Sequence, residues 1–353
     1  MDERHAFNDI YETMLRGLQK NSGEFFTPRA LTSLIVMKTN PKKTDRVADF
    51  AAGTGGFLVD ALKHMEAQHP SIDEIKLIHS NLYGVEKKQL PYMLCTTNLL
   101  LHDVDNPNII HGNTLEENIR DYKEADRFDV IVMNPPYGGS ELEIVQKNFP
   151  PETRSAETAD LFMIEIMYRL RENGRCGVIL PEGLLFGLEP NRVEIKKKLL
   201  NEFNLHTIIR LPGSCFAPYT GINTNLLFFD KTEATKGVWF YRFDLPGGKK
   251  FSMSKNPITI EKLQPILDWW NNRIEIKDEK EDETATETWK SRKVSVEEIK
   301  ESGYSLDFCG FPKEETFVLS PEETIKAFKE QRAYLDAKMD RQLQIIMDKL
   351  GVK

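Results

Sequence analysis

Cysteine is scarce in this chain: four residues in 353, Cys95, Cys176, Cys215 and Cys309, stand far apart, with no C-x-x-C pair and no histidine at zinc-finger spacing. That excludes a cysteine-held metal and points to reduced, mostly buried thiols. The seven histidines are scattered as well, and the nearest pair, His64 and His69, reads as two solvated side chains near a helix end. No metal is expected. Long apolar runs are missing too. Nothing approaches the roughly 20 residues needed to span a bilayer, and the opening MDERHAFNDIYE has no apolar signal region, so the protein is expected in the cytoplasm, without a membrane partner. Positive charge is in deficit, with 47 Lys and Arg against 55 Asp and Glu, a net charge of -8. Proteins that hold nucleic acid alone spread positive charge along the phosphates. The balance therefore argues against an autonomous DNA binder, but not against a subunit acting on DNA that a partner holds.

What is present, from Arg46 to about Asp230, is an alternation of short apolar runs with amphipathic stretches, the pattern of a sheet covered by helices on both faces. Seven strands are expected: Arg46–Phe50, Leu82–Glu86, Asn108–His111, Phe128–Met133, Arg175–Leu180, Leu205–Leu211 and Thr224–Asp230. Helices fit over Gly56–Gln68, Leu90–His102, Asp160–Glu172 and Arg192–Glu202. The fold class is therefore α/β, doubly wound and Rossmann-like. Gly138–Thr158 shows no period and reads as a mobile loop, and the charged stretch 277–288 reads as an exposed acidic loop. Ser320-Pro321-Glu322-Glu323 is a capping pattern that opens a long helix over 321–350. Its apolar face packs either on its own domain or on another subunit.

The strongest chemical signal is Asn134-Pro135-Pro136-Tyr137, directly after the strand-like run Phe128–Met133. Open α/β sheets bind ligands in the crevice at the carboxyl ends of their strands. Two prolines stiffen the backbone and remove two donors, which leaves carbonyl oxygens as acceptors beside the asparagine amide. Such a site can hold an exocyclic amine. Adenine N6 is a poor nucleophile, and two acceptors, the Asn134 side-chain oxygen and the Pro135 main-chain oxygen, can draw it toward tetrahedral geometry and stabilise the charge that develops on methyl transfer. Tyr137 can stack on a base flipped from the duplex. Standing alone, the four residues could also be a stiff turn.

Upstream, Asp49-Phe50-Ala51-Ala52-Gly53-Thr54-Gly55-Gly56-Phe57 reads as a strand end, a glycine-rich turn and a helix start. Its spacing is not the G-x-G-x-x-G of dinucleotide sites, so a nucleoside cofactor without phosphates, S-adenosylmethionine, fits better than NAD. Glu86 ends the next strand, where a carboxylate can take both ribose hydroxyls. Gly112-Asn113-Thr114-Leu115 follows the third strand; Asn113 either offers its amide to the cofactor's adenine or is an exposed loop residue.

With Gly23-Glu24-Phe25-Phe26-Thr27-Pro28-Arg29 ahead of the glycine turn, and Asn-Pro-Pro-Tyr after it, the chain resembles the gamma arrangement of DNA amino-methyltransferases. Within that class it resembles the modification subunit of type I restriction systems. Further matches are Ala159-Asp160-Leu161-Phe162, Leu180-Pro181-Glu182-Gly183, Leu211-Pro212-Gly213, Phe216-Ala217 and Thr220-Gly221-Ile222-Asn223-Thr224, so the likeness runs from about Ile10 to Lys231. Ala52 and Thr54 stand where the family usually has cysteine and serine. The resemblance implies a seven-stranded S-adenosylmethionine-dependent fold that methylates adenine N6 in DNA. Phe26 and Thr27 would border the methionine end of the cofactor, with Asp49, Ala51, Gly53, Gly55, Gly56 and Phe57 around its amino-acid part. Phe216 would take the second face of the flipped adenine. It further implies a specificity subunit that reads the DNA sequence, two copies of this chain per specificity subunit, and a restriction subunit. Residues 1–22 would be the remnant of an N-terminal helical domain, 23–245 the methyltransferase domain and 246–353 a C-terminal extension. A methyltransferase using the same motif on a protein glutamine, or a catalytically idle assembly subunit, are the rival readings.

Overall fold

A computed structural model describes residues 27–217, 221–252, 255–278 and 288–312, together with Ile325, Lys329 and Arg332. Along the chain run α1 (Arg29–Thr39), β1 (Val47–Asp49), α2 (Gly56–Glu66), α3 (Ile72–Asn81), β2 (Leu82–Glu86), α4 (Gln89–Leu101), β3 (Asn108–His111) and β4 (Phe128–Met133). There follow α5 (Glu143–Gln146), α6 (Thr158–Arg169), β5 (Leu170–Pro181), α7 (Glu182–Phe186), α8 (Pro190–Glu202), β6 (Asn204–Leu211) and β7 (Thr224–Asp230). The last elements are β8 (Gly237–Arg242), α9 (Gln264–Asn271), β9 (Ile276–Lys277), β10 (Trp289–Ser295) and α10 (Val296–Glu301).

All ten strands form one sheet in the order β3-β2-β1-β4-β5-β7-β6-β8-β10-β9. β3, β2, β1, β4 and β5 are parallel, and β7 runs antiparallel between β5 and β6. The strand order reverses between β1 and β4, which opens a crevice at their carboxyl ends. In β4, Ile131 and Met133 face one apolar core while Val130 and Val132 face the other, which is why the strand reads as a continuous apolar run. One core is covered by α6, α7 and α8, the other by α1, α2 and α4. All four cysteines are free and buried.

Strands β2, β3, β4 and β7 have the boundaries that their sequence pattern indicates. The sheet has ten strands rather than seven, because β8, β9 and β10 extend it after β7, the last two of them beyond residue 245. The helix expected over Asp160–Glu172 is Thr158–Arg169, and Leu170 already begins β5, where it pairs with Phe128. Gly138–Thr158 carries short helical turns, α5 and Pro151–Thr153, that its sequence did not announce. It is tied down by local bonds that leave no periodic signature: Arg154 donates to the Gln146 and Phe149 carbonyls, Thr158 N–H donates to the Gly139 carbonyl, and Phe149 is fully buried. The chain divides into two units, Met1–Lys313 and Glu314–Lys353. Of the expected helix over 321–350, Ile325, Lys329 and Arg332 are helical and the remainder lies outside the described residues, as do residues 1–22 and most of the acidic loop. No described helix is long and apolar enough to cross a membrane.

Candidate active site

The glycine turn, Glu86, Asn113 and Asn134–Tyr137 all lie at or just past the carboxyl end of a parallel strand, β1 to β4 respectively, whereas Thr27 stands ahead of α1. After β1 the chain turns through Gly53 and Gly55, both at positive φ (56° and 82°), before α2 starts. An L-residue is strained there, and at Gly55 a Cβ would also stand 2.9 Å from Cys95 Sγ. The buried Asn98 amide donates to the Thr54 carbonyl at 2.8 Å and fixes the turn from α4. Glu86, at the end of β2, accepts from Gly53 N–H and Lys88 N–H, both at 2.8 Å, with only 9% of its surface exposed. Its carboxylate is thus fixed by backbone donors, and a carboxylate retains further lone pairs for a ligand. Asp49 is buried behind the turn, where its Oδ1 accepts from Ala51 N–H at 3.1 Å. Burial, with a smaller push from the Glu86 charge, drives its carboxyl up to about 8.

Beyond β4, Asn134 and Tyr137 engage one another: the Tyr137 hydroxyl donates to Asn134 Oδ1, while Asn134 Nδ2 donates to Thr27 Oγ1 at 2.9 Å. Burial raises the Tyr137 phenol well above its ordinary range, so it remains a donor. Among the described residues nothing donates to the Pro135 carbonyl. Asn134 to Tyr137, Glu86, Ala51, Gly53, Asn113 and Thr114 all line one cavity of about 300 Å³, with Phe50 and Phe162 as apolar wall.

The remaining residues stand back from it. Gly55, Gly56 and Phe57 shape the turn and the helix start, and Leu115 is fully buried in the core. Asn113 spends its side-chain oxygen on Leu115 N–H at 3.2 Å, which leaves its amide toward Glu141 at 3.5 Å. It is neither a fully exposed loop residue nor an unengaged ligand. Phe216 is 1% exposed and meets the Tyr137 ring edge-on, centroids 6.2 Å apart at 85°, so here it backs Tyr137 rather than offering a face to the cavity. Phe26 lies outside the described residues.

Sequence reasoning missed four contributors. Glu141 lines the cavity and pairs with Lys87 at 3.0 Å. Phe50 lines it too, and the Arg169 guanidinium lies 4.7 Å over the Phe50 ring, held by fully buried Glu165 at 3.1 Å. For Glu165 and Arg169 the only sequence signal is charge within an otherwise apolar helix, one helical turn apart.

A family model described as N-6 DNA Methylase matches residues 2–316. The type I restriction enzyme EcoEI methylase subunit of Escherichia coli is 44% identical over 94% of this chain and 67% of its own length. The EcoKI methylase subunit of Escherichia coli K12 is 32% identical over 74% of this chain and 53% of its own. The chain thus spans two thirds of the first of these relatives and about half of the second. Among solved structures, a modification subunit of a putative type I restriction enzyme from Vibrio vulnificus superposes with a TM-score of 0.77 at 38% identity, over 88% of this chain and 64% of that one. A chain from a type I R-M system studied for complex assembly and conformational transition gives a TM-score of 0.76 at 34% identity, over 98% and 72%.

Proposed function

Because the chain belongs to the N-6 DNA methylase family, we propose that it moves a methyl group from S-adenosylmethionine to N6 of adenine in DNA, as the modification subunit of a type I restriction-modification complex. The observation that carries this reading is the Asn134 amide at the cavity wall, its Oδ1 already accepting from a hydroxyl and the Pro135 carbonyl beside it. The cavity suits the cofactor by the chemistry of its walls. Fixed Glu86 can take the ribose hydroxyls, the glycine turn admits close backbone approach, and Phe50 and Phe162 offer apolar surface to a purine. Buried Asp49 has no described cationic partner and would gain one from the cofactor's amino group.

When bound, S-adenosylmethionine supplies a methyl group on a sulfonium that needs no further activation. Asn134 Oδ1 and the Pro135 carbonyl each accept one N6 hydrogen, pull the nitrogen out of conjugation with the ring, and stabilise the positive charge that grows as the N–C bond forms. No side chain removes a proton before attack. The extra proton would then pass from the methylated nitrogen to solvent, with the cofactor's methyl–sulfur bond broken and its sulfur left as a neutral thioether. Tyr137 stacks on one face of the flipped base, and Phe216 takes the other once its ring leaves the edge of Tyr137. A net charge of -8 is consistent with leaving the grip on DNA, and the reading of its sequence, to a specificity subunit. Two copies of this chain would join that subunit, with a restriction subunit added, in the cytoplasm.

The test is to incubate the chain with its specificity partner, unmethylated DNA and labelled cofactor, and to digest the DNA to nucleosides. Label in N6-methyldeoxyadenosine is expected; label confined to protein, or absent while cofactor binds, would overturn the reading.

A further inference from the structure

Asn134 can serve as an acceptor only if its amide is turned the right way. The two ends of an amide are nearly equal in size, so packing alone does not choose between them, and hydrogen bonds must. At Nδ2 the partner is Thr27 Oγ1, 2.9 Å away and 107 residues earlier in the chain. Thr27 is itself held. Pro28 follows it and caps α1, and Arg29, the first residue of that helix, donates to the Gly56 carbonyl at 2.8 Å at the start of α2. The start of α1, two residues on, is thereby tied to the glycine turn, while the Thr27 hydroxyl itself meets Asn134. At the other end of the amide, Oδ1 accepts from the Tyr137 hydroxyl. Asn134 and Tyr137 both line the cavity, and an amide oxygen that accepts one hydroxyl keeps a second lone pair for an exocyclic amine.

We propose that Thr27 is a positioning residue for methyl transfer: by accepting from Asn134 Nδ2 it locks the amide with Oδ1 toward the substrate amine. This rests on the adenine methyltransferase reading above. Without Thr27 Oγ1 the amide can rotate by half a turn and present N–H against N–H, which forfeits the acceptor and adds repulsion at the reacting nitrogen. The role differs from simple contact with the cofactor, since its effect should fall on the chemical step.

Two variants and two readouts test it. Thr27→Val keeps the shape and removes the acceptor, whereas Thr27→Ser keeps the acceptor. In methyl transfer with the specificity partner, Thr27→Val should lower kcat about 10- to 100-fold, the size of effect known for outer partners of metal ligands, and by more than any loss in cofactor affinity; Thr27→Ser should restore most of the rate. The second readout does not depend on activity. The Asn134 side-chain amide resonances, identified by their loss in Asn134→Ala, should shift and exchange faster with solvent in Thr27→Val, and stay near wild type in Thr27→Ser. Wild-type kcat in Thr27→Val, a loss lying wholly in cofactor affinity, or Asn134 resonances that do not move would each overturn the proposal. If the wild-type chain itself fails to methylate DNA, the functional reading falls, and the amide resonances alone decide whether Thr27 orients Asn134.

Discussion

At the scale of single residues, Asp49 has the clearest consequence for stability. Its carboxyl ionises near 3.8 in an unfolded chain and near 8 in the folded, cofactor-free one, chiefly because it is buried. Between those values the unfolded chain has lost its proton while the folded chain still holds it, so stability present below about pH 4 is lost as pH rises toward 8. Asp49→Asn removes the titration. Its unfolding free energy should exceed that of wild type by a margin that widens from pH 4 to pH 8 and then levels, on the order of a few kcal/mol, with a melting temperature that rises in step, while its affinity for S-adenosylmethionine falls; a pH-independent difference between the two melting curves would refute this. Tyr137 divides into ring and hydroxyl. Tyr137→Phe keeps the stacking surface and frees Asn134 Oδ1, so transfer should persist, whereas Tyr137→Ala should weaken DNA use by about 1–3 kcal/mol; equal losses in the two variants would show that the hydroxyl matters as much as the ring. Asn134, Tyr137, Glu86 and the glycine turn were legible as short motifs because each sits at a strand end. The Thr27–Asn134 bond was not, since the two residues meet only through the tertiary fold.

Among elements, the turn between β1 and α2 is the most constrained. Gly55 combines positive φ with Cys95 packed against the place a side chain would take. Gly55→Ala should cost about 1–3 kcal/mol from the backbone alone and lower cofactor affinity further. Cys95→Ala in the same chain should relieve only the steric part, which calorimetric melting of the single and double variants can separate. If Cys95→Ala restored full stability, the φ argument would be wrong. Element boundaries were legible where period and turn chemistry agree, as in β2, β3, β4 and β7. β8 escaped notice although Gly-Val-Trp-Phe-Tyr-Arg is rich in strand formers, because it ends on a charged residue that looks solvated in sequence. Arg242 is in fact almost fully buried, answered by Asp244 at 2.7 Å and Asp278 at 2.7 Å. The short turns within 138–158 went unread for a related reason: their bonds run from side chains to backbone, which leaves no period.

For the whole molecule, a charge of -8 has a measurable outcome. Alone, the chain should bind duplex DNA weakly, with an affinity that hardly changes with salt, and a steep salt dependence should emerge only with a specificity partner present. A steep slope for the isolated chain would mean that it holds the phosphates itself. The α/β class was readable in the sequence, as was the position of Asn134–Tyr137 at a strand's carboxyl end, because strand boundaries follow from local pattern. The ten-strand extent was not, because it depends on edge pairings that no local period reveals: β8 joins β6 in parallel, and β10 then pairs antiparallel with β8 across about fifty residues of chain. The most direct measurement of the central claim is the single-turnover rate of methyl transfer to adenine N6 in unmethylated DNA, for wild type and Asn134→Ala with the specificity partner, alongside the cofactor affinity of each. If Asn134 supplies the acceptor, the variant binds cofactor normally and loses at least about 100-fold in rate. A variant that transfers methyl groups at the wild-type rate would contradict it.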